Sequence, residues 1–423
     1  MKITIVGVGY VGLPIGLVFY EKGSDVVFYD KDKEKIDMLR SGIPPIQEKG
    51  VKERLTKTSV KVTSNVKEAF KDREIIFICV GTPSLESGEV DLSYLNESVR
   101  EISIYANPDS IVVIKSTVPP EGYYLAKKIL SQKFDEAHTV VNPEFLREGT
   151  AIRDAENPDR IVIGVEDDFS KQKMLKLYKD FDSPILITDP ITASVIKYAS
   201  NSFLATKLSF INEIANLCDR VGANIDDLAK GMGLDPRIGD KYLKSGIGFG
   251  GSCLPKDTRA FINIFKKQGI KFQILESVVA VNNKQYRVVF EKLKKYFSSL
   301  KDLVVTVLGL SFKPGTDDIR ESVSLKIIDD LLKGGAVVRA HDFMAIENAK
   351  KILPNVNYFE NVYESVLNVD AIIIATDWKE YRELDWRLIR ERMRGDVIID
   401  GRNLLDASYI KKLGFKYEGI GRR

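Results

Sequence analysis

The segment that most constrains the fold stands at the start of the chain. Residues 2–6, Lys-Ile-Thr-Ile-Val, form an apolar run of strand length. They lead into Gly7-Val8-Gly9-Tyr10-Val11-Gly12, which opens an apolar helical stretch over residues 13–18. A second apolar run, residues 26–29, ends on Asp30. Strand, glycine turn, helix, strand and terminal acid, in that order, specify a parallel βαβ unit. The glycines permit a tight turn, close approach of backbone to a pyrophosphate, and close packing of helix on strand. The phosphates then lie at a helix N-terminus, where unpaired N–H groups point. Gly7, Gly9, Tyr10, Val11 and Gly12 are therefore expected to hold a dinucleotide, with Asp30 on its ribose. A carboxylate at that position repels a 2′-phosphate, which selects NAD over NADP. Lys31 and Lys35 either touch the adenosine ribose or phosphate, or begin a solvated helix.

The alternation of strands and helices continues. Residues 74–80 read as a fully buried strand, which makes Cys79 a core residue, and end at Gly81-Thr82-Pro83. Residues 110–115 form another strand, ending in Ser116-Thr117-Val118-Pro119-Pro120. Strand C-termini face the ligand crevice in open parallel sheets. Thr82 is thus expected to line the cofactor, and the Thr117 hydroxyl to orient a water or a cofactor amide. Ser116, ahead of prolines, is expected to cap a helix. A short strand at 140–141 leads to Asn142-Pro143-Glu144-Phe145-Leu146-Arg147-Glu148-Gly149, two acids and an arginine in a loop at the same edge. Residues 160–164 read as the last strand, followed by a small helix-and-strand unit to residue 187.

From 190 to 223 the pattern is helical, with Ile196, Ala199, Phe203, Leu208, Ile211, Ile214 and Leu217 recurring at helical spacing. A helix of that length is a natural spine for dimerisation. Lys197 and Asn201 lie four apart on one face, either solvated or projecting into a cleft. Cys218 falls in the apolar pattern and reads as core. The charged residues 236–244 suit a solvated loop or a clamp for an anion. They run into Gly248-Phe249-Gly250-Gly251-Ser252-Cys253-Leu254-Pro255-Lys256-Asp257-Thr258. A thiol behind a run of glycines is accessible, with a cation and a carboxylate beside it. The alternative is a glycine turn with a buried cysteine as filler. Helical residues 257 to about 297 lead to a second α/β unit. Its strands are 303–308, 337–342 ending in an acid, 371–375 and 397–400. Its first loop lacks the dinucleotide spacing. Gly309 and Lys313 suit a nucleotide phosphate, so the unit reads as a degenerate repeat that binds a different nucleotide. Arg402, after the last strand, is placed to reach a cleft.

These elements predict an α/β chain. Two Rossmann-like parallel-sheet domains are joined by a long central helix and a helical dimerisation region. The expected segments are 1–188 for NAD, 189–300 for the helices and the cysteine loop, and 301–423 for the second nucleotide.

Composition narrows the chemistry. The 63 basic and 60 acidic residues leave a net charge of +3, so charge supplies no drive toward nucleic acid or membrane. Three widely spaced cysteines give neither a disulfide framework nor a zinc pattern, and a cytoplasmic setting is expected. With only His138 and His341 present, and no metal-ligand spacing, a general base is sought among Lys, Asp, Glu and activated water. No signal peptide and no membrane span are expected.

A dinucleotide domain, a reactive cysteine and a mononucleotide-like domain imply hydride transfer on a nucleotide-bearing substrate. Oxidation of an alcohol needs only a base and a hydride acceptor. Going on from aldehyde to acid needs a tetrahedral adduct that can expel hydride, and a thiolate provides one. The expected reaction is therefore a four-electron oxidation using two NAD in succession.

Over essentially its whole length the chain resembles the UDP-glucose/GDP-mannose dehydrogenase family. The residues that carry the resemblance are Gly7 to Gly12 with Asp30, Gly81-Thr82-Pro83, Ser116-Thr117-Val118-Pro119 and Asn142 to Gly149. Further along they are Asn157-Pro158-Asp159-Arg160, Lys197 with Asn201, Gly248 to Asp257, Phe312-Lys313, Arg320-Glu321-Ser322 and Asp400-Gly401-Arg402. The resemblance implies that Cys253 is the nucleophile. Asp257, Lys197 and Asn201 would assist proton movement and stabilise the oxyanion. Thr117 and Glu144 would hold the catalytic water, Glu148 would contact the nicotinamide end, and Arg320 would reach the cofactor. Phe145, Leu146, Arg147, Tyr242, Lys244, Gly250, Lys313 and Arg402 would hold a UDP-sugar. Glu148, Lys197 and Asn201 would also touch it, and Arg237 would reach a neighbouring subunit's site in a homodimer or a larger oligomer. Asn157 to Gly164 and Asp400 to Asn403 look more like the UDP-glucose branch than the GDP-mannose branch. Ser252 stands where the N-acetylhexosamine branch carries a histidine. The run Pro45-Ile46-Gln47-Glu48-Lys49-Gly50-Val51 departs from the family pattern, with little expected effect on chemistry. Two readings from other classes stand beside this one. A regulatory nucleotide-binding protein could keep the fold without turnover, and a two-electron hydroxyacid dehydrogenase would have no need of the cysteine.

Overall fold

A computed structural model describes residues 1–422, which fall into two compact units, residues 1–200 and residues 201 onward. The first unit is built on eight strands. These are β1 (Lys2–Val6), β2 (Asp25–Tyr29), β3 (Lys61–Thr63), β4 (Ile75–Ile78), β5 (Ile111–Ile114), β6 (Thr139–Val141), β7 (Ile161–Gly164) and β8 (Ile185–Thr188), in the order β3-β2-β1-β4-β5-β6-β7-β8. All neighbours are parallel except β6 and β7, which meet antiparallel at Val141 and Gly164. Helices cover both faces, which is why the strands are continuously apolar rather than alternating. Ile3, Ile5, Ile75 and Phe77 enter one core layer, while Val6, Ile76 and Ile78 enter the other. Each such side chain, fully buried, contributes roughly 1.5–3 kcal/mol. The chain leaves β1 toward β2 and returns on its other side to β4. The crevice therefore opens at the C-terminal ends of β1 and β4.

The second unit holds six parallel strands: β9 (Val304–Leu308), β10 (Val337–His341), β11 (Asn357–Tyr358), β12 (Ala371–Ile374), β13 (Val397–Asp400) and β14 (Lys416–Gly419). Their order is β11-β10-β9-β12-β13-β14. The helical residues ahead of this sheet share its core. Ile211, Ala215, Cys218, Val289 and Leu293 pack in one cluster with Val305, Val307, Ile373 and Ile399. The opposite face is closed by Trp378, Tyr381, Trp386 and Ile389 against Leu308, Ile372 and Ile398.

A single helix, Pro190–Val221, runs for 32 residues through the boundary of the two units. Its apolar stripe is only partly covered by the chain itself. Ile211 is fully buried, but Phe203 and Leu217 are 66% and 52% exposed. Two further details differ from the sequence reading. Ser116 caps no helix: the helix Pro120–Leu130 takes Pro119 as its N-cap, and the Ser116 hydroxyl donates to the carbonyls of Ile78 and Val80, tying the ends of β4 and β5. The first sheet also continues past β7, because β8 pairs with it along four residues. No helix among the described residues is long and apolar enough to cross a membrane.

Candidate active site

The turn after β1 is shaped by steric necessity. Gly7 has φ +95°, and a Cβ on it would stand 2.8 Å from the Cys79 carbonyl oxygen. A Cβ on Gly12 would lie 2.0 Å from the Gly7 carbonyl oxygen. Gly9, between them, has nothing within 4 Å of its would-be Cβ, so backbone is bared where a diphosphate needs it. The helix Gly12–Glu21 starts without a side-chain cap; the Leu13 amide bonds the Gly9 carbonyl at 3.1 Å, and the helix end still favours an anion. At the end of β2 the Asp30 carboxylate accepts from the Val8 and Asp32 amides at 3.1 and 3.0 Å, which fixes its direction. Lys35 Nζ lies 3.9 Å from Asp30, so its charge sits against the acid. Tyr10 and Val11 are half-buried, Thr82 is buried and Thr117 half-buried at the two neighbouring strand ends. The residues present fit NAD.

The corresponding acid of the second sheet does different work. Asp342, after β10, accepts from the amides of Leu310, Ser311, Met344 and Ala345, the Ser311 hydroxyl and the Trp378 indole. Its carboxylate is consumed in shaping its own loop, which explains in physical terms why this unit does not repeat the dinucleotide site of the first.

Beyond β6 the loop from Asn142 to Gly149 carries a buried ion pair. Lys197 Nζ donates to Glu144 Oε1 at 2.8 Å, with 5% and 8% of the two side chains exposed. Glu144 Oε2 accepts from the Leu146 amide at 2.6 Å. Burial alone pushes this carboxyl up. Lys197, the Leu146 amide and Lys115 outweigh it and hold it below the usual carboxylate range. The Phe145 ring takes the Arg160 guanidinium at 3.7 Å and Lys197 Nζ at 5.4 Å from its centroid. Arg147 is bound in a fork to Asp154, with Nε at 2.9 Å and Nη2 at 2.6 Å. Glu148 is half-buried in the same loop. Glu48, from the run that departs from the family pattern, accepts from the amides of Gly149 and Ala151 at 2.7 and 2.9 Å. Glu48, which the departures at Gln47 and Lys49 leave in place, therefore anchors the loop that bears Glu144, a role that nothing local in the sequence signals.

In the second unit the backbone leading to Cys253 is pinned at several points. The Gly246 amide donates to Asn212, the Ile247 amide to the Gly401 carbonyl, the Phe249 amide to Asn282 and the Gly251 amide to the Arg320 carbonyl. The Gly248 carbonyl accepts from Arg402 Nη1 at 2.8 Å. A Cβ on Gly250 would lie 2.2 Å from the Glu321 carbonyl oxygen, and one on Gly251 would lie 2.5 Å from the Phe312 ring. Gly250→Ala is therefore expected to force the two loops apart and destabilise the chain by on the order of 1–3 kcal/mol. Thermal denaturation checks this, and an unchanged midpoint would mean the loops part freely.

The pinned loop delivers Cys253, the exposed cysteine among three, to the N-cap of the helix Leu254–Lys267. Negative charge is favoured at that end of a helix. The Ser252 hydroxyl stands 3.5 Å from the Cys253 sulfur. One turn on, the buried Asp257 carboxylate receives Asn201 Nδ2 on one oxygen and Lys256 Nζ on the other, each at 2.6 Å. Cys79 and Cys218 are buried in core clusters.

The other candidates are placed as follows. Arg402 is part-buried and also donates to the Ala375 carbonyl at 2.7 Å, so two of its donors brace backbone. Lys244 pairs with Asp377 at 2.9 Å. Lys313 lies 5.2 Å from the Phe312 ring centroid. Tyr242 has φ +64°, a left-handed turn that holds its ring at the surface. Arg320 is bidentate to Asp318. Arg237 closes on Asp235 in an exposed loop with 87% of its side chain open.

Three consecutive segments of the chain match the UDP-glucose/GDP-mannose dehydrogenase family: its NAD binding domain over residues 1–182, its central domain over 191–284 and its UDP binding domain over 306–407. UDP-glucose 6-dehydrogenase of Rickettsia bellii is 43% identical, with 100% of each chain covered. UDP-glucose 6-dehydrogenase TuaD of Bacillus subtilis is 42% identical, with 100% of this chain and 93% of the relative covered. Among solved structures, a UDP-glucose dehydrogenase from Pyrobaculum islandicum superposes with a TM-score of 0.92 at 38% identity, over 100% of this chain and 98% of its own.

Proposed function

The chain belongs to the UDP-glucose/GDP-mannose dehydrogenase family, whose NAD-dependent oxidoreductase chemistry it shares, and we propose that it oxidises UDP-glucose to UDP-glucuronate in two successive two-electron steps. The observation that carries the proposal is the exposed Cys253 thiol, held at a helix N-terminus by an immobilised glycine loop. An alcohol dehydrogenase that stopped at the aldehyde would have no use for it.

The glycine turn from Gly7 to Gly12 holds the pyrophosphate, Asp30 and Lys35 the adenosine ribose, and Thr82, Glu148 and Arg320 further parts of the cofactor. NAD, when bound, supplies the hydride acceptor for each oxidation. In the first step a water held by Thr117 and Glu144 takes the proton of the sugar C6 hydroxyl, and the Lys197 ammonium steadies the alkoxide. The Cys253 thiolate then adds to the C6 aldehyde, forming a C–S bond. Lys197 and the Asn201 amide, itself oriented by Asp257, stabilise the resulting oxyanion. After the second oxidation C6 is a thioester. Water activated at Glu144 adds to it, the C–S bond breaks, and the thiolate departs, leaving the carboxylate. Phe145, Leu146, Arg147, Tyr242, Lys244, Gly250, Lys313 and Arg402 hold the nucleotide sugar.

The full-length identity to UDP-glucose enzymes supports this substrate over GDP-mannose. Phe203, Phe210 and Leu217 repeat every seven residues along the exposed side of the long helix at 66%, 48% and 52% exposure, which supports a homodimer through that helix, with Arg237 serving the neighbouring site. The deciding experiment is the count of NADH formed per sugar consumed. Two NADH per UDP-glucose are expected, with none from GDP-mannose. One NADH with accumulating aldehyde refutes the four-electron route. Binding of NAD and UDP-glucose with no NADH at all would instead favour a regulatory protein.

A further inference from the structure

Lys115 is the last residue before the Ser116-Thr117 turn that follows β5, and it is only 7% exposed. Its ammonium donates to Asn142 Oδ1 at 2.9 Å and reaches the Pro143 carbonyl at 3.5 Å. Both partners are neutral. A buried cation with neutral partners is costly to keep, and a chain that needed only packing would place an apolar side chain there. Asn142 is itself fixed at two more points, taking the Tyr178 hydroxyl at 2.6 Å and donating to the Val162 carbonyl at 2.7 Å. The ammonium is therefore held still, on the segment whose next two residues are Pro143 and Glu144.

Several charged and titratable groups face this point. Glu144 comes from the loop after β6 and Lys197 from the long helix. The Cys79 thiol comes from the end of β4 and is kept neutral by burial, its pKa pushed up to about 12. The Tyr178 phenol, on the helix Asp168–Tyr178, is uncharged, and the Arg160 guanidinium stacks 3.7 Å from the Phe145 ring centroid. Burial pulls the Lys115 ammonium down to about 8, with Lys197 lowering it further and Cys79 and Glu144 opposing, so it keeps most of its charge at neutral pH.

We propose that Lys115 is a positioning residue for Glu144: a fixed second cation that keeps the carboxylate ionised and aimed while Lys197 turns its charge to the substrate oxyanion. The proposal rests on the reading above, in which Lys197 serves two anions in one turnover. Without a second cation, Glu144 would lose its counter-charge whenever Lys197 engaged the sugar, and would become protonated before it could activate the water.

The test follows the Glu144 carboxyl directly, in the full chain and without turnover. Its infrared C=O band is isolated by subtracting the spectrum of Glu144→Gln, and is titrated. Lys115→Met is expected to raise the midpoint by about one pH unit and to move the acidic limb of the kcat profile upward by the same amount. Lys115→Arg, which keeps the charge, should hold both near the parent values. If the Met variant shows no cooperative melt, Lys115→Gln takes its place, since it removes the charge but retains a donor for Asn142. A midpoint that stays at the parent value in the neutral variant, or that moves equally in the Arg variant, overturns the proposal. Because the band needs no catalysis, a parent chain that makes no NADH counts against the function reading, and an unmoved band counts against Lys115.

Discussion

Cys253→Ala is expected to abolish uronate formation while leaving the fold intact. The side chain is exposed, so its loss opens no cavity, and it contributes no cap bond to the helix Leu254–Lys267. The melting temperature should therefore match the parent. Turnover to the acid should fall by about 10⁴-fold or more, the scale seen when an enzyme loses its covalent nucleophile. The alcohol step needs no sulfur, so any NADH that appears should stop at one equivalent, with the aldehyde trappable by a hydrazine. Cys253→Ser sharpens the result. A hydroxyl in place of the thiol is a poor nucleophile at neutral pH, and an ester is a slower substrate for hydrolysis than a thioester. It should give a slow, incomplete second equivalent at best. Two equivalents at the parental rate from either variant would show that the aldehyde is oxidised as its hydrate, without a covalent adduct.

What could be read from the sequence, and what could not, divides along sequence distance. The turn from Gly7 to Gly12 was legible because its demands are local. A left-handed glycine and a close helix–strand contact leave only one residue type at their positions. The burial of Cys79 and Cys218 followed equally locally, from the apolar neighbours of each sulfur, whereas the glycines around Cys253 left both an accessible thiol and a buried filler open, and the structure exposes it. Glu48 was missed because its partners, Gly149 and Ala151, are 101 and 103 residues away. Asn282, which grips Phe249 from a distant helix, gave no signal for the same reason. Lys115 was read as the tail of a strand, since nothing beside it announces that Asn142 will lie against it. The stripe on the long helix shows a different failure. Periodicity places Phe203 and Leu217 on an apolar face but is silent on what covers that face, and among the described residues both stay more than half exposed. Ser116 shows a competition between local and tertiary bonds: the proline that followed suggested a cap, and two strand-end carbonyls took the hydroxyl instead.

Lys197→Met should damage stability and activity together, and the double change with Glu144→Gln should separate them. The single change strands a carboxylate that is 8% exposed, leaving it the Leu146 amide and the more distant Lys115. Removing one partner of a buried pair costs about 3–5 kcal/mol, whereas replacing both with neutral groups of similar volume is often nearly neutral. Lys197→Met alone is thus expected to melt well below the parent, and Lys197→Met with Glu144→Gln close to it. Acid should narrow the difference between parent and single variant. The folded Glu144 carboxyl lies below its ordinary value of 4.5, so the stability it lends is complete above that value and is lost as pH falls through the depressed folded pKa. Turnover should behave otherwise. Loss of a charge aimed at a developing oxyanion costs about 10²–10³-fold in kcat, and the double variant restores neither the cation nor the group that holds water. It should be stable and inactive. Were the pair a packing device alone, turnover would return with the melting temperature, since a well-packed neutral pair supports the loop as firmly as a charged one. A stable double variant with near-parental NADH formation would therefore remove both residues from the chemistry and leave the water and the oxyanion to be served by other groups.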